Sequence, residues 1–221
     1  MANRKISNKK VTPRMFSAEL IEKLSHVHPV TPLIMYVPVV LFLMYLSTGY
    51  ESLTATSITL LFLGGVLFWT FIEYVIHRFV FHYEPKTYIG KQIHFLSHGV
   101  HHDYPRDPQR LVMPPAVSVP LALFFYALFF VTMGAAITAP FFSGFLVGYL
   151  AYDMLHYATH HFSLKDNKVF LWLKHYHMRH HYQDEEHGYG VSSPLWDYVF
   201  RTHLPKVENK NKKSKKLEVS A

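Results

Sequence analysis

The sequence predicts an all-α integral membrane protein, with four transmembrane helices capped by a cytosolic helical domain rich in histidine. Two observations carry this prediction. None of the 22 Lys and Arg residues lies within 29–76 or 115–155, and each of these apolar spans is long enough for two crossings at about 20 residues per helix. Ten of the 17 histidines form four spaced clusters in the segments that follow these spans.

Each apolar span is expected to form a hairpin of two helices. Polar or small residues mark the two reversals, at 48–52 and at 134–140. We therefore expect transmembrane helices at about 29–47, 53–76, 115–133 and 141–155. The expected organisation is a cytosolic N-terminal segment over 1–28, with a tail at 1–14, a membrane domain over 29–204 and a basic disordered tail over 205–221. A soluble protein with very apolar core helices is the weaker alternative.

The distribution of positive charge predicts the orientation of these helices. The two reversals carry no Lys or Arg, whereas the N-terminus, 77–114 and the C-terminal third carry all of them. By the positive-inside rule, both termini and a cap built from 77–114 and 156–204 face the cytosol. The membrane would be the endoplasmic reticulum in a eukaryote and the cytoplasmic membrane in a bacterium. Because the excess of positive charge lies beside the apolar spans, we expect a membrane and no nucleic acid as partner.

The histidine clusters predict a site for two metal ions. Imidazole is the commonest protein ligand for first-row transition metals, and ten clustered imidazoles are too many for one ion. The chain has no cysteine, which excludes disulfides and thiolate metal sites. The cap is therefore expected to be a histidine-rich di-metal domain. The ten candidate ligands are His77, His82, His98, His101, His102, His156, His160, His177, His180 and His181.

Helical spacing indicates how these histidines could converge. Because positions i, i+3 and i+4 share a face of a helix, His98, His101 and His102 are expected to point together, and so are the histidines of 177–181. His77 and His82 are five residues apart, about 140° around an α-helix. They can reach one point only if the helix ends or bends between them; otherwise they serve different metals.

Other polar residues are expected to support the site. Glu73 and Asp153 are carboxylates inside apolar helices, where such groups usually have a partner. We expect each to hydrogen-bond a ligand imidazole, with direct ligation as the alternative. Arg110 could pair with a substrate carboxylate or phosphate, or could simply face lipid. The remaining histidines are expected to be interfacial or capping (His26, His28, His203) or are left undecided beside the ligands (His94, His161, His175, His187).

The position of the clusters beside a membrane favours a particular chemistry. A di-metal site that opens toward lipid suggests an apolar substrate such as an acyl chain, whose C–H bonds resist acid–base chemistry. Attack on such a bond requires a redox metal, so we expect two iron ions, with dioxygen as co-substrate. Zinc is the alternative in purified material, because imidazole sites bind it avidly. A membrane metal transporter or sensor is the non-enzyme alternative, but its ligands would line a membrane-crossing pathway.

The clusters and their surroundings resemble the histidine boxes of the membrane fatty acid hydroxylase superfamily. Three stretches are most similar to fatty acid 2-hydroxylases, namely HFLSHGVHHDYPRDPQRLVMPP (94–115), GYLAYDMLHYATHH (148–161) and YHMRHHYQDEEHGYGVSSPLWDYVFRT (176–202). The resemblance covers about residues 65–202. It implies four membrane helices under a cytosolic di-metal domain, and an oxygen-dependent monooxygenase that hydroxylates the 2-position of fatty acyl chains of lipids and sphingolipids.

The resemblance also implies roles for individual residues. The ten clustered histidines match the metal ligands of the family, and Tyr152 and Asp153 match positions just before the third cluster. We therefore expect Tyr152 and Asp153 to take part in catalysis. A sterol or carotenoid hydroxylase or desaturase of the same superfamily is the alternative.

One departure from the family concerns the source of electrons. Eukaryotic relatives carry an N-terminal cytochrome b5 domain with a His-Pro-Gly-Gly haem motif. Here His28-Pro29 is followed by Val30-Thr31, which does not match. We therefore expect a separate electron donor, either a cytochrome b5-like protein or a ferredoxin with its reductase.

Overall fold

The computed structural model describes residues 6–7 and 9–205, and every regular element within these ranges is helical. The predicted basic tail therefore lies outside the described residues, except for residue 205. The elements in chain order are α1 (Glu19–Leu24), α2 (Thr31–Ser47), α3 (Ala55–Ile76), a first π turn (His77–Phe81), α4 (Tyr88–His94), a second π turn (Phe95–Gly99), α5 (Val100–Asp103), α6 (Pro115–His161), α7 (Lys168–Tyr182) and α8 (Leu195–Val199).

Two of these helices are long and apolar enough to cross a membrane. One is α3 continued by the first π turn, 27 residues over Ala55–Phe81, and the other is α6, with 47 residues. The apolar helix α2 is shorter, at 17 residues. The side-chain oxygen of Thr54 caps the start of α3 by accepting a hydrogen bond from the N–H of Ser57 at 3.1 Å.

Helix α6 is a hairpin of two limbs that reverse at Gly134. This glycine has φ 76° and ψ 166°, a backbone conformation that other residues rarely adopt. Rings on the two limbs then meet in antiparallel order, with centroids 4.9 Å apart for Phe125 and Phe145 and 5.3 Å apart for Tyr126 and Phe142. The expected turn over 134–140 is therefore wrong in length: only Gly134 leaves the helical conformation, and the second limb continues to residue 161.

The second limb of α6 packs against α3 at backbone contact. A Cβ on Gly65 would overlap the carbonyl oxygen of Phe141, and a Cβ on Gly144 would overlap that of Phe62. Further along α3, toward residue 77, the Trp69 ring packs edge-on against the rings of Phe145 and Tyr149 in an aromatic core. The two helices thereby hold residues 77 and 156, which lie near their C-terminal ends, at a fixed separation.

The N-terminal segment is not a free tail where the structure describes it. The N–H of Ser7 donates to the carbonyl of Asp103 at 2.8 Å, and the Thr12 hydroxyl donates to Asp107 at 2.6 Å. Further along, the N–H of Val27 donates to a carbonyl at 2.8 Å in the same loop after α5. We call residues 9–28 the strap, because they lie across the 100–111 segment. The expectation of a tail at 1–14 is therefore wrong for the described residues.

Candidate metal centre

The first π turn solves the spacing problem of His77 and His82. The N–H of His82 donates to the carbonyl of His77 at 3.1 Å, the i to i+5 bond of a π-helix. Because this wider turn places residues five apart on one side, the two rings lie with centroids 4.9 Å apart. The bend that the sequence required between these two histidines is thus a local widening of the helix.

Neighbouring histidines in the second cluster point in different directions. Nε2 of His102 lies 2.9 Å from Nε2 of His98, four residues earlier on the same helical face. Nε2 of His101 instead lies 2.9 Å from Nε2 of His156. The expectation that all three cluster members share one face is therefore wrong for His101, because positions 101 and 102 are about 100° apart on a helix.

The fourth cluster divides in the same way. Nε2 of His181 lies 3.0 Å from Nε2 of His177, again four residues apart. Nε2 of His180 lies 3.0 Å from Nε2 of His82, on the other half of the chain. His101 and His180 are thus exchanged between the two halves.

The structure brings all ten predicted histidines into two groups of five. Within each group the nearest ring nitrogens all lie within 4.8 Å of one another, and every ring is buried except that of His82, which is half-buried. The two groups adjoin through the stacked rings of His102 and His181, with centroids 4.2 Å apart. The first group is His77, His82, His98, His102 and His180, and the second group is His101, His156, His160, His177 and His181.

The short distances between ring nitrogens within each group are better explained by a shared cation than by hydrogen bonds between the rings. Nε2 of His98 lies 3.1 Å from Nε2 of His77 and 2.9 Å from Nε2 of His102. One ring nitrogen carries at most one proton, and the Nε2 of His77 bears a lone pair when its Nδ1 donates to a carbonyl. Hydrogen bonds alone therefore cannot satisfy these contacts, whereas a shared metal ion would. Ligands at right angles, each about 2.1 Å from a metal, lie about 3.0 Å apart.

Main-chain carbonyls set the orientation of two of the rings. Nδ1 of His77 donates to the carbonyl of Tyr189 at 2.5 Å, and Nδ1 of His180 donates to that of His187 at 2.8 Å. A proton held on Nδ1 leaves the Nε2 lone pair free for a metal. The sequence did not single out these carbonyls, since a backbone acceptor leaves no side-chain signature.

Burial keeps the imidazoles of the cap in the neutral form that metal binding needs. It lowers the pKa of His101 to about 3, with nearby His180 adding to the effect. Burial also lowers the pKa of His180 to about 4, although its hydrogen bond to the His187 carbonyl works in the opposite direction. Both rings are therefore uncharged near neutral pH.

Glu73 supports the first group indirectly. Its carboxylate accepts hydrogen bonds from the N–H groups of Val191 and Ser192 at 2.7 and 2.8 Å, and from the Ser192 hydroxyl. It therefore holds the loop that presents the carbonyl of Tyr189 to His77. The expected hydrogen bond from Glu73 to a ligand imidazole is not among the described contacts, because its oxygens are taken by this loop.

Asp153 and Tyr152 lie beside the second group. The Asp153 carboxylate accepts from the Tyr149 hydroxyl at 3.0 Å and from the N–H of Met113 at 3.4 Å. The expected bond from Asp153 to an imidazole is likewise not among the described contacts. The Tyr152 ring stacks on the His156 ring with centroids 5.6 Å apart. Both residues line a cavity, where they could meet a bound molecule.

This cavity has a volume of about 330 Å³ and touches both histidine groups. Its wall includes His98 of the first group and His101 and His156 of the second. Most of the remaining wall is apolar and comes from the strap, from 81–117 and from α6. The arrangement is a mostly apolar site beside two potential metals, suited to an apolar chain.

Arg110 is bound by the strap. Its guanidinium donates to Glu22 at 2.5 Å, to the Ser25 hydroxyl at 3.2 Å and to the carbonyl of Pro13, and lies 2.9 Å from His26 Nε2. The alternative of an exposed lipid-facing residue is therefore wrong, because the side chain is buried. Arg110 also lines the cavity described above, so its pairing with a substrate anion stays a prediction. Glu22 has no motif around it, which is why the sequence left it unnoticed.

The histidines outside the two groups have other partners. His28 accepts from the N–H of Val30 at 3.3 Å just before α2 begins, but no side chain caps the start of this helix. The His203 ring stacks on Tyr198, and that of His161 stacks on Tyr157. His187 contributes its carbonyl to the site, while its own ring contacts Asp184 at 3.0 Å.

Comparisons with known proteins agree with this geometry. Residues 62–202 match the profile of the family described as fatty acid hydroxylase. The chain is 36% identical over 213 residues to the fatty acid 2-hydroxylase of Mus musculus, covering 87% of this chain and 57% of that protein. It is 39% identical over 203 residues to a dihydroceramide fatty acyl 2-hydroxylase of Arabidopsis thaliana, covering 91% of this chain and 84% of that protein.

A solved structure is similar as well. The hydroxylase domain visible in full-length Scs7p superposes with a TM-score of 0.81 at 38% identity, covering 86% of this chain and 72% of that chain. The chain thus spans little more than half the length of the mouse relative, but most of the plant relative.

Proposed function

The chain belongs to the fatty acid hydroxylase family, and on that basis we propose that it is an oxygen-dependent di-metal monooxygenase acting on the 2-position of fatty acyl chains of lipids and sphingolipids. One observation supports this proposal above the others. The two five-histidine groups border a single apolar cavity, through His98 on one side and His101 and His156 on the other.

The ten histidines are proposed to hold two metal ions, five imidazoles to each. Iron is the expected metal, and bound there it would supply the reduction of dioxygen and the oxidation of a C–H bond. The chain itself keeps the imidazoles neutral by burying them. It orients two of them through the main-chain carbonyls of Tyr189 and His187. The apolar wall also excludes water from the reacting carbon.

Asp153 and Tyr152 are proposed to position the head of the acyl chain. Hydroxylation at the 2-position requires the carbonyl end of the chain to lie next to the metals, so a polar group must be accommodated there. Asp153 is 1% exposed and lines the cavity beside His156, where its carboxylate can accept a hydrogen bond from an amide or hydroxyl group. The N–H of an amide-linked acyl chain can donate this hydrogen bond, whereas the carboxylate of a free fatty acid cannot, which favours an amide-linked acyl chain.

We extend the proposal to a membrane protein with four crossings and both termini in the cytosol. The candidate spans are α2, the α3 segment and the two limbs of α6, and Gly134 provides the reversal between the limbs. A single cysteine introduced at Glu51, in the turn between α2 and α3, should react with a membrane-impermeant reagent only from the non-cytosolic side. Labelling of this cysteine from the cytosolic side would contradict the topology.

The two electrons that oxygen activation needs are proposed to come from a redox protein, either cytochrome b5-like or a ferredoxin with its reductase. Nothing in the proposal requires a nucleic acid. A sterol or carotenoid substrate and a metal transporter remain as the alternatives that the experiment below separates.

The test is lipid mass spectrometry after expression with iron and a suitable electron donor. Acyl chains heavier by one oxygen at the α-carbon support the proposal. Oxygen on a ring, or a new double bond, would move the assignment to another substrate of the superfamily. Metal uptake into vesicles with no modified lipid would favour the transporter. His101→Ala should yield no such product. Its matched control is His175→Ala, which removes an exposed histidine of α7 outside both groups and should yield the product.

A further inference from the structure

Helix α1 exposes all three of its apolar residues, beside Glu19 and Lys23, and buries only the charged Glu22. Leu20, Ile21 and Leu24 point outward and are 70%, 50% and 64% exposed. The inward residue is Glu22, which is only 9% exposed and bonds to Arg110. A surface helix in water normally shows the reverse pattern, so the outward face of α1 calls for an apolar partner.

The neighbourhood of α1 indicates what that partner is. The strap supplies Met15, Phe16 and Ser25 to the wall of the cavity, so α1 lies directly beside it. Two other wall residues, Ile93 and Val117, are also 61% and 52% exposed, so they mark where the cavity reaches the surface. Val117 lies in the first turn of α6, a candidate membrane span. The mouth therefore opens at the level of the membrane.

A second group of exposed apolar residues borders this mouth, where Ile93 lines the cavity. In α4, Tyr88, Ile89 and Ile93 are all exposed, and none of its residues is buried. The strap around α1 also carries Lys9, Lys10, Arg14 and Lys23, whose positive charge suits anionic lipid head groups. Apolar faces flanked by basic residues are typical of helices that lie in a membrane surface.

We propose that the outward face of α1 is a membrane-docking surface whose partner is the cytosolic leaflet of the lipid bilayer. Leu20, Ile21 and Leu24 insert among the acyl chains, while Glu22 ties the helix to Arg110 and so to the cavity wall. The lip of the cavity then lies within the leaflet, and an acyl chain enters from the side without crossing water.

The absence of cysteine from the sequence makes a direct test possible. Single cysteines at Leu20, Ile21 and Leu24 are labelled with an environment-sensitive fluorophore in the full chain, reconstituted into phosphatidylcholine–phosphatidylserine vesicles. Lys23→Cys is the matched control, because Lys23 lies on the same helix with its side chain 73% exposed, pairing with Glu19 at 3.4 Å. Retained metal content checks that each variant is folded.

The expected result is a blue-shifted emission at all three apolar positions, with strong quenching by a nitroxide on a lipid acyl chain. The label at position 23 should be quenched mainly by aqueous iodide. Iodide quenching at positions 20, 21 and 24 as strong as at position 23 would overturn the inference. This readout needs no catalysis. If the labels were quenched by lipid but the protein modified no acyl lipid, the proposed function would be rejected and the docking surface retained.

Discussion

The adjacent residues His101 and His102 lie in different histidine groups: Nε2 of His101 lies 2.9 Å from that of His156, and Nε2 of His102 lies 2.9 Å from that of His98. The pair His180 and His181 divides likewise. Each group therefore takes four histidines from one half of the chain and one from the other. Neither half can complete a group by itself.

Removal of either exchanged histidine should disable the site. We expect His101→Ala and His180→Ala each to abolish hydroxylated product, while the protein still inserts in the membrane. Each variant should also hold less metal, since one of the five imidazoles of a group is lost. Product is measured by lipid mass spectrometry and metal by elemental analysis, with His175→Ala as control. Full activity in either variant would remove that residue from the site.

Glu73→Gln should loosen the loop that orients His77. The amide oxygen can replace Oε1, which accepts from both N–H groups, while the N–H₂ group replaces Oε2 and faces the Ser192 hydroxyl, which must turn to accept. Hydrogen bonds to a charged acceptor are stronger than those to a neutral one by about 1 kcal/mol, so we expect a lower thermal midpoint and faster loss of metal to a chelator. Glu51→Gln, at an exposed carboxylate, should change neither quantity. Unchanged metal release in Glu73→Gln would argue against the link through Tyr189.

Gly65→Ala and Gly64→Ala should differ sharply although they are neighbours. A Cβ at position 65 would overlap the Phe141 carbonyl, whereas one at position 64 would lie 3.6 Å from the Phe141 ring, an ordinary contact. We expect Gly65→Ala to lower the free energy of unfolding by about 3 kcal/mol. Gly64→Ala should be neutral, or stabilising by about 0.5–1 kcal/mol, because alanine favours helix. Thermal unfolding in detergent measures both, and equal midpoints would contradict the backbone contact of α3 with α6.

The strap should loosen in acid. Burial opposes ionisation of Glu22, but the N–H groups of Phe16 and Met15 and the guanidinium of Arg110 outweigh it and lower its pKa from 4.5 to about 2. Its stabilising contribution is therefore complete above pH 4.5 and is lost as the pH falls from 4.5 through 2. A fluorophore attached at Ser17→Cys should show a constant anisotropy above pH 4.5 and a falling anisotropy below it.

A variant separates this effect from general acid unfolding. Glu22→Gln should have a mobile strap already at neutral pH, with no further step in that acid range. Glu19→Gln, at an exposed residue that pairs with Lys23, should behave like the wild type. If the labelled wild type and Glu22→Gln had equal anisotropy at neutral pH, the ion pair between Glu22 and Arg110 would not be what holds the strap in place.

Asp153→Asn and Tyr152→Phe probe the wall of the cavity nearest His156. A hydrogen bond to a charged group is worth about 1.5–3 kcal/mol, so loss of the Asp153 charge should reduce turnover by about 10- to 100-fold. Tyr152→Phe keeps the ring against His156 and tests the hydroxyl alone. Rates are compared with metal content held equal. Wild-type turnover in both variants would exclude them from catalysis.

Spacing along the sequence was enough to single out the ten histidines, because histidines three to five residues apart can be recognised without knowledge of the fold. The exchange of His101 and His180 was not visible, since it depends on how separate helices pack. The π turn at 77–81 was foreseen only as a break, because nothing in HRFVF distinguishes a widened turn from a bend.

The supporting contacts were the hardest to predict. The main-chain carbonyl of Tyr189 has no sequence signature, and Glu73 reaches the site only through residues more than 110 positions away. Residues 1–14 were expected to form a tail, yet residues 9–14 belong to the strap. Its attachment rests on Glu22 and Arg110, which are 88 residues apart and meet only in the folded chain.

The two π turns mark where the length of this chain can vary. A π turn accommodates one residue more than an α-helical turn, and here that residue sits within His77–Phe81 and again within Phe95–Gly99. Deleting one residue from 78–81 would turn the first π turn into an α-helical turn, with its two histidines four residues apart and still on one face. One residue removed between Gly65 and His77 within α3 would instead rotate His77 by about 100° relative to the contact that Gly65 makes with α6.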